Sequence, residues 1–119
     1  MSIFRNPQRH YCGSLREEHI GQRVTVCGWC ARMRDLGGLI FIDLRDREGI
    51  VQCVFDEADN KELFDLAFTV RSEFTLKIEG VVRQRSSIND KIPTGRIEIL
   101  ADSLEIYEKA DTPPFEISD

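Results

Sequence analysis

The sequence CGWCARMRDLGGLIFIDLRDREGIVQCVF, residues 27–55, decides the fold of this chain. Between residues 39 and 45, aliphatic side chains recur at every second position, and this period predicts a β-strand with one buried face. Ile40, Ile42 and Leu44 share that face, and Phe41 lies on the other. The turn at residues 46–49 ends in Gly49, which supplies the positive φ that such turns often need. The stretch therefore predicts consecutive antiparallel strands.

The strand after this turn directs its apolar side chains inward, at Val51, Cys53 and Phe55. Antiparallel pairing places Gln52 and Phe41 together on the outer face, and Arg32, Arg34 and Arg45 can lie around them. An exposed aromatic ring beside a planar amide, surrounded by guanidinium groups, suits an unstacked nucleobase. The residues alone therefore predict a site for single-stranded nucleic acid on this face.

The composition is that of an ordinary globular domain, with 119 residues of which 41% are hydrophobic and 31% charged. A net charge of -5 argues against nonspecific binding of nucleic acid in bulk. It still allows a local basic patch, because the acids gather in residues 56–62 and 105–119, away from residues 32–47. Neither a membrane-spanning run nor a signal peptide is visible, so we expect a cytoplasmic protein with no membrane partner.

The motif Cys27-Gly-Trp-Cys30 raises the alternative of a zinc or thiol-redox protein. Residues three apart on a strand point to opposite faces, so the two sulfurs would converge only across a bulge. A second CxxC motif is missing, and the only histidines are His10 and His19. The pattern therefore favours packed, reduced thiols and no metal, whereas bound zinc or a depressed thiol pKa would favour the alternative.

The remaining chain adds a helical turn, a helix and further strands. Ser14 and Glu17 have the spacing of a capping box for a turn through His19. The first strand is predicted over residues 23–34, with a bend at Gly28. Apolar residues at helical spacing predict a helix within residues 56–71; they are Leu63, Leu66, Ala67 and Val70, with Phe64 widening the apolar face. Two more strands are predicted at residues 74–83 and 96–107, separated by a polar loop.

Three strands, a helix and two strands are the order of an OB-fold, a mainly β, five-stranded Greek-key barrel with one helix between strands three and four. A short N-terminal helical turn precedes the barrel. We expect residues 1–10 to be a flexible arm, residues 11–110 the barrel, and residues 111–119 the start of an interdomain linker, since paired prolines follow an acidic stretch.

These residues carry a family resemblance. The stretch at residues 27–55, the preceding YCGSLREEHIGQRVTV and the later NDKIPTGRIEIL resemble the N-terminal anticodon-binding domain of bacterial-type, class II aspartyl-tRNA synthetases. The likeness runs from about Tyr11 to Asp111. Lysyl- and asparaginyl-tRNA synthetases share the fold but match these sequences less well, and they remain an alternative.

The resemblance implies a role for each residue of the outer face. Phe41 would stack on the central uridine of the GUC or QUC anticodon of aspartate tRNA, and Gln52 would pair with the Watson–Crick edge of that base. Glu98 would meet the first anticodon base, because a carboxylate suits the N–H donors of guanine. Further contacts to phosphates or to the remaining base would come from Arg32, Arg34, Arg45 and Asn89.

The resemblance also implies what these 119 residues lack. The class II catalytic motifs are not visible, so we expect a fragment that binds tRNA without aminoacylating it and needs no cofactor. ATP and Mg²⁺ would serve the parent aspartate–tRNA ligase, whose full-length form is expected to be a homodimer, although the fragment need not be. The alternative from a different class is a stand-alone OB-fold that binds single strands without sequence preference.

Overall fold

A computed structural model describes residues 8–107, the side chains of Gln8 and Arg9 excepted. Its elements are β1 (Gln8–Arg9), β2 (Arg23–Asp35), β3 (Leu39–Asp46), β4 (Gly49–Asp56), α1 (Lys61–Ala67), β5 (Thr75–Gln84) and β6 (Ile97–Tyr107). Two short 3₁₀ helices, Cys12–Ser14 and Glu17–His19, lie between β1 and β2. The predicted N-terminal helical turn is therefore present, in the tighter 3₁₀ form.

The five long strands close into a barrel in the order β2-β3-β4-β6-β5, and β5 returns to pair with β2. The first half of β2 pairs with β5 and the second half with β3, and both ladders meet at Trp29. All of these pairings are antiparallel except that of β4 with β6, which is parallel at Cys53↔Ile99. With α1 between the third and fourth long strands, the predicted OB-fold is confirmed.

The alternation of β3 and β4 separates the core from the outer face. Ile40, Ile42 and Leu44 are fully buried in one cluster together with the inward residues of β4. β3 pairs with β4 so that Phe41 lies opposite Val54 and Asp43 opposite Gln52. Because paired residues point to the same side, Phe41 and Gln52 share the outer face, as the sequence predicts.

Glycines occupy the turns and the places where neighbouring strands approach most closely. Gly37 lies in the turn between β2 and β3 with a φ of 61°, and Gly49 follows the β3–β4 turn with the predicted positive φ, 146°. At Gly28 a Cβ atom would lie 2.1 Å from the carbonyl oxygen of Arg45, so the backbones approach too closely for any side chain. The irregularity of β2 itself comes slightly later, as a register shift between Cys30 and Arg32.

Helix α1 is shorter than the predicted range and rotated from the predicted face. Asn60 begins it, with its side chain accepting a hydrogen bond of 3.1 Å from the Leu63 amide. Leu66 was predicted to be buried, but it is 41% exposed. Because Phe64 is buried, the buried face of the helix is shifted toward Ala67. Leu66 lies about 100° around the helix axis from Ala67, at the edge of that face.

One expectation for the N-terminal segment, the capping box at Ser14, is wrong. Ser14 does not cap a helix but donates its hydroxyl to the Tyr11 carbonyl at 3.0 Å. The contact that closes the turn is the Arg16 amide donating to Nδ1 of His19 at 2.9 Å. Within the predicted arm, Gln8–Arg9 pair in parallel with β2, a two-residue pairing that has no local sequence pattern. The predicted linker lies outside the described residues.

Asp46 ties this segment to the β3–β4 turn. Asp46 is only 3% exposed. One oxygen accepts the Cys12 amide at 2.6 Å, and the other accepts the Glu48 amide at 2.9 Å. A Cβ atom on Gly13 would lie 2.0 Å from the Glu48 carbonyl oxygen, which shows how closely the two segments pack.

The four cysteines are buried and form no disulfide among the described residues. Cys30 belongs to the core cluster, whereas Cys27 lies on the opposite side of β2, so their sulfurs do not converge. Burial raises the pKa of Cys12, Cys30 and Cys53. In the described part of the chain, no group of three or more His, Cys, Asp or Glu side chains is arranged to hold a metal ion. No helix among residues 8–107 is long and apolar enough to cross a membrane.

Candidate nucleic-acid interface

The centre of the outer face is the side-chain amide of Gln52. Its oxygen Oε1 accepts a hydrogen bond of 2.9 Å from Nη2 of Arg34, and its nitrogen Nε2 donates one of 2.8 Å to Oε1 of Glu98. Gln52 is 8% exposed and Glu98 5%, so the outward residues expected from the sequence are covered by their neighbours. They lie on the predicted outer face but are not freely exposed, because this hydrogen-bonded network lies over the sheet.

The network continues to a residue that the sequence analysis missed. Nε of Arg83 donates to Oε2 of Glu98 at 2.7 Å, forming an ion pair across β5 and β6. Arg83 lies directly opposite Glu98 in the ladder between these strands. Arg83 follows the buried Val82 and therefore points outward, which could have indicated it from the sequence. Its pairing with Glu98 follows only from the register of two strands that are separated by a loop.

Arg34 connects the amide to the aromatic ring. Its guanidinium carbon lies 5.1 Å from the centroid of the Phe41 ring, a distance at which a cation and a π face attract. Nη2 of Arg34 also lies 3.6 Å from Oδ1 of Asp43. Phe41 itself is half-buried, so part of its surface remains open beside this charge.

Two adjacent pockets open on this face. The first, here called the Phe41 pocket, measures about 310 Å³, and Phe41, Glu98 and Arg83 are in its lining. The second, the Asn89 pocket, measures about 280 Å³ and is lined in part by Arg32, Arg45 and Asn89. Both pockets share three lining residues, which are Arg34, Gln52 and Arg85. All seven residues selected from the sequence thus line one pocket or both.

The charge of this face is opposite to that of the whole chain. Five arginines line the two pockets, against the two carboxylates of Asp43 and Glu98, whereas the chain carries a net charge of -5. Arg83 and Arg85 are not among the residues that the sequence selects for this face. Among the described residues, Nε of Arg34 and Nε of Arg85 are buried donors without a hydrogen-bond partner. Such donors are rare in folded proteins.

The loop between β5 and β6 is held in place beside the pockets. The hydroxyl of Thr94 donates to the carbonyl of Ile50 in β4. Asn89 accepts the amide of Lys91 at 3.0 Å through its side chain, and its own amide donates to the Gly95 carbonyl at 2.9 Å. These hydrogen bonds hold the loop against β4 where Asn89 lines its pocket.

A closed five-stranded barrel with a basic, partly aromatic groove on its outer face defines the class of OB-fold proteins that bind single-stranded nucleic acid. The family model for tRNA anticodon domains, described as an OB-fold nucleic acid binding domain, matches residues 24–107. The chain belongs to this family.

Curated relatives agree with the resemblance seen in the sequence. The chain is 54% identical over 111 residues to an aspartate–tRNA ligase of Listeria monocytogenes serotype 4b (strain F2365), covering 92% of the chain and 19% of that protein. It is 51% identical over 108 residues to the aspartate–tRNA ligase of Clostridium tetani, covering 91% of the chain and 18% of the relative. The resemblance to bacterial aspartyl-tRNA synthetases is confirmed, and the chain spans about a fifth of the length of these relatives.

Solved structures share the barrel. The asparaginyl-tRNA synthetase of Pyrococcus horikoshii, complexed with asparaginyl-adenylate, is 28% identical with a TM-score of 0.72, covering 90% of this chain and 24% of that one. An OBody, AM2EP06, bound to hen egg-white lysozyme has a TM-score of 0.76 at 24% identity, covering 92% of this chain and 100% of the OBody. At that identity the second likeness supports the fold alone.

Proposed function

We propose that the outer face binds the anticodon loop of aspartate tRNA, with anticodon GUC or QUC, as the anticodon-binding domain of an aspartate–tRNA ligase. The observation that carries the proposal is the Gln52 amide, held between Arg34 and Glu98 beside Phe41. The likeness to bacterial aspartate–tRNA ligases supports the choice of tRNA.

The hydrogen-bonding capacity left on Gln52 matches uracil. A primary amide offers two lone pairs and two N–H donors, and the network uses one of each. The remaining lone pair would accept N3–H of the central uridine, and the remaining N–H would donate to a neighbouring carbonyl of the base. Phe41 would stack on the same base, which is how OB-folds hold unpaired bases.

Glu98 keeps the capacity to meet the first anticodon base. A carboxylate offers about four lone-pair sites, and Gln52 and Arg83 occupy one on each oxygen. The others would accept the N1–H and N2–H donors of guanine where Glu98 lines the Phe41 pocket. In this arrangement Glu98 would serve Gln52 and the first base at once.

The arginines would contact the phosphates and the remaining base. Arg32, Arg45 and Asn89 border the Asn89 pocket, next to the proposed position of the central base. Arg34 and Arg85 line both pockets, where their guanidinium groups would meet a phosphate or base oxygen. Phosphate contacts by arginine add affinity and salt dependence, while the base contacts add specificity.

In a full-length ligase this domain would position the tRNA for aminoacylation. We propose that the reaction uses ATP and Mg²⁺ in a separate catalytic domain, and that the full-length enzyme is a cytoplasmic homodimer. No residue of the two pockets is assigned to that chemistry.

The test is a titration of the chain at low salt with a GUC stem-loop and two loops that each differ from it in one base. These are GCC, with the central base changed, and GUU, the asparagine anticodon. Preference for GUC over both supports the proposal. Equal binding to all three contradicts it and leaves a barrel that binds single strands generally. Preference for GUU moves the assignment to asparagine tRNA.

The variant Gln52→Ala tests whether Gln52 reads the central base. We expect it to lose the preference for the central uridine, worth about 1–3 kcal/mol for a bidentate contact to a base. Affinity for the loop with the changed central base should stay close to that of the wild type. A preference that survives in Gln52→Ala would show that another residue reads this base.

A further inference from the structure

We propose that Arg34 and Glu98 determine specificity at the central anticodon base by preventing rotation of the Gln52 amide, so that uracil is accepted and cytosine rejected. The inference rests on the proposed function and adds a mechanism to it. In this mechanism Arg34 and Glu98 are positioning residues, which act on the central base through Gln52.

A glutamine amide by itself does not distinguish the two pyrimidines. Uracil presents the N3–H donor next to a carbonyl acceptor, and the amide meets them with its oxygen and its N–H. Cytosine presents the N3 acceptor next to the N4 amino donor. An amide rotated by 180° meets cytosine equally well, because oxygen and nitrogen simply exchange places.

The neighbours of Gln52 remove this freedom because each can form only one kind of hydrogen bond. The guanidinium of Arg34 has donors and no acceptor, and the ionised carboxylate of Glu98 has acceptors and no donor. Arg34 holds Oε1 at 2.9 Å, and Glu98 holds Nε2 at 2.8 Å. Rotation would turn the NH₂ group toward the guanidinium and the oxygen toward the carboxylate, so both hydrogen bonds would become repulsive contacts.

Burial makes the free-energy cost of rotating the Gln52 amide large. Gln52 is 8% exposed and Glu98 5%, so water has little access to groups left unpaired by the rotation. Buried polar groups that lose their partners cost far more than exposed ones. The amide is therefore confined to the orientation that fits uracil.

Arg34 and Glu98 are themselves held in place by further contacts. Glu98 accepts a hydrogen bond of 2.7 Å from Nε of Arg83 on the neighbouring strand. Arg34 lies 3.6 Å from Asp43 and 5.1 Å from the Phe41 ring centroid. Neither can turn away to follow a rotated amide without breaking these contacts, so the orientation of Gln52 is set by four strands of the barrel.

The experiment compares the affinities for the GUC and GCC stem-loops in the wild type and in the variant Glu98→Gln. A glutamine at this position can present either its oxygen or its NH₂ group, so the Gln52 amide becomes free to rotate. For the wild type we expect a preference for GUC of roughly tenfold or more. For Glu98→Gln we expect this ratio to fall toward one, mainly because GCC binds more tightly. The first and third bases are constant, so any contact of Glu98 with the first base cancels in the ratio.

Glu79→Gln is the matched control. Glu79 is also a carboxylate on the barrel paired with an arginine, at 3.1 Å from Nη2 of Arg23, but it lines neither pocket. Its substitution removes the same charge and should leave the GUC to GCC ratio unchanged. Arg34→Gln releases the other end of the amide and should also lower the ratio. Thermal unfolding of each variant shows that the barrel is intact.

The outcomes separate the mechanism from the proposed function. A wild-type preference for GUC that persists undiminished in folded Glu98→Gln and Arg34→Gln overturns the inference and leaves the proposed function standing. A wild type that binds GUC and GCC equally overturns both. A ratio that falls in the two site variants and not in Glu79→Gln supports the inference.

Discussion

Two carboxylates of this barrel are almost equally buried and differ in what surrounds them. Asp46 is 3% exposed and accepts hydrogen bonds from two backbone amides, whereas Glu98 is 5% exposed and accepts them from two side chains that line a pocket. The comparison teaches that burial alone does not identify a functional acid. A carboxylate satisfied by the backbone holds the chain in place, and one satisfied by side chains beside an opening controls the orientation of those side chains.

The largest expected effect is on stability, at Asp46. The variant Asp46→Ala leaves the amides of Cys12 and Glu48 without their acceptor, so we expect the free energy of unfolding to fall by about 2–3 kcal/mol. Urea unfolding measures this loss. Asp46→Asn keeps one acceptor oxygen and should lose less, about 1 kcal/mol.

Glu98→Gln provides the contrast in the same assay. Its partner Arg83 has a side chain that is 42% exposed and can be hydrated, so stability should change by less than about 1 kcal/mol. If Glu98→Gln lowered stability as much as Asp46→Ala, the distinction between the two carboxylates would be wrong.

The next effect is on binding, at Phe41. We expect Phe41→Ala to weaken binding of the GUC stem-loop by about 1–3 kcal/mol, because the base loses its stacking surface. Isothermal titration measures the affinity. Phe68→Ala is the control, since Phe68 is 50% exposed and lines neither pocket. Equal affinities of the Phe41 and Phe68 variants would remove Phe41 from the binding site.

A smaller effect is expected from the exposed arginines at the rim of the site. Arg45→Gln should reduce the slope of log K against log salt by about 0.7, the value for one phosphate contact to a single strand, and leave the GUC to GCC ratio unchanged. Arg71→Gln, which follows α1 and lines neither pocket, should keep the wild-type slope. A change in the ratio with Arg45→Gln would mean that this residue reads a base.

A pH-dependent effect is expected from the buried thiols, and its size grows with the pH that is reached. Burial raises the pKa of Cys12, Cys30 and Cys53 above the ordinary value of 9.0, so the folded protein keeps these protons to a higher pH than the unfolded chain does. Their contribution to stability is complete below that value and is lost as the pH rises above it. Urea unfolding from about pH 7 to pH 10 should therefore show a constant free energy and then a decline. A free energy that rose above pH 9 would contradict the assigned direction.

The sequence was sufficient for the barrel because its signals are local. The period of two in β3 separates Ile40 and Ile42 from Phe41, and Gly37 and Gly49 mark the turns at both ends. The same alternation identifies the outer face, so the residues of that face could be predicted without knowing which side chains they contact. The extent of α1 was less predictable because its buried face depends on how Phe64 packs against the barrel.

The network over the sheet could not be read from the sequence. Arg83 meets Glu98 only because β5 and β6 pair in one register, and Gln52 meets Glu98 only because β4 and β6 lie side by side. Neither register is encoded in a short pattern, since each follows from the closure of the whole barrel. For the same reason the burial of Gln52 and Glu98 was missed although their face was predicted.

The parallel pairing of β4 with β6 also has a consequence for folding kinetics. The hydrogen bond between Gln52 and Glu98 joins residues 46 positions apart in the chain. A contact of this kind forms only after a long loop has closed, and closing the loop costs conformational entropy. Barrels dominated by such contacts therefore fold on the order of milliseconds to seconds. The hairpin of β3 and β4 can form early by itself, but it holds Phe41 and Gln52 without the acid that orients the amide. The face that we propose reads the anticodon is thus complete only once β6 has joined β4.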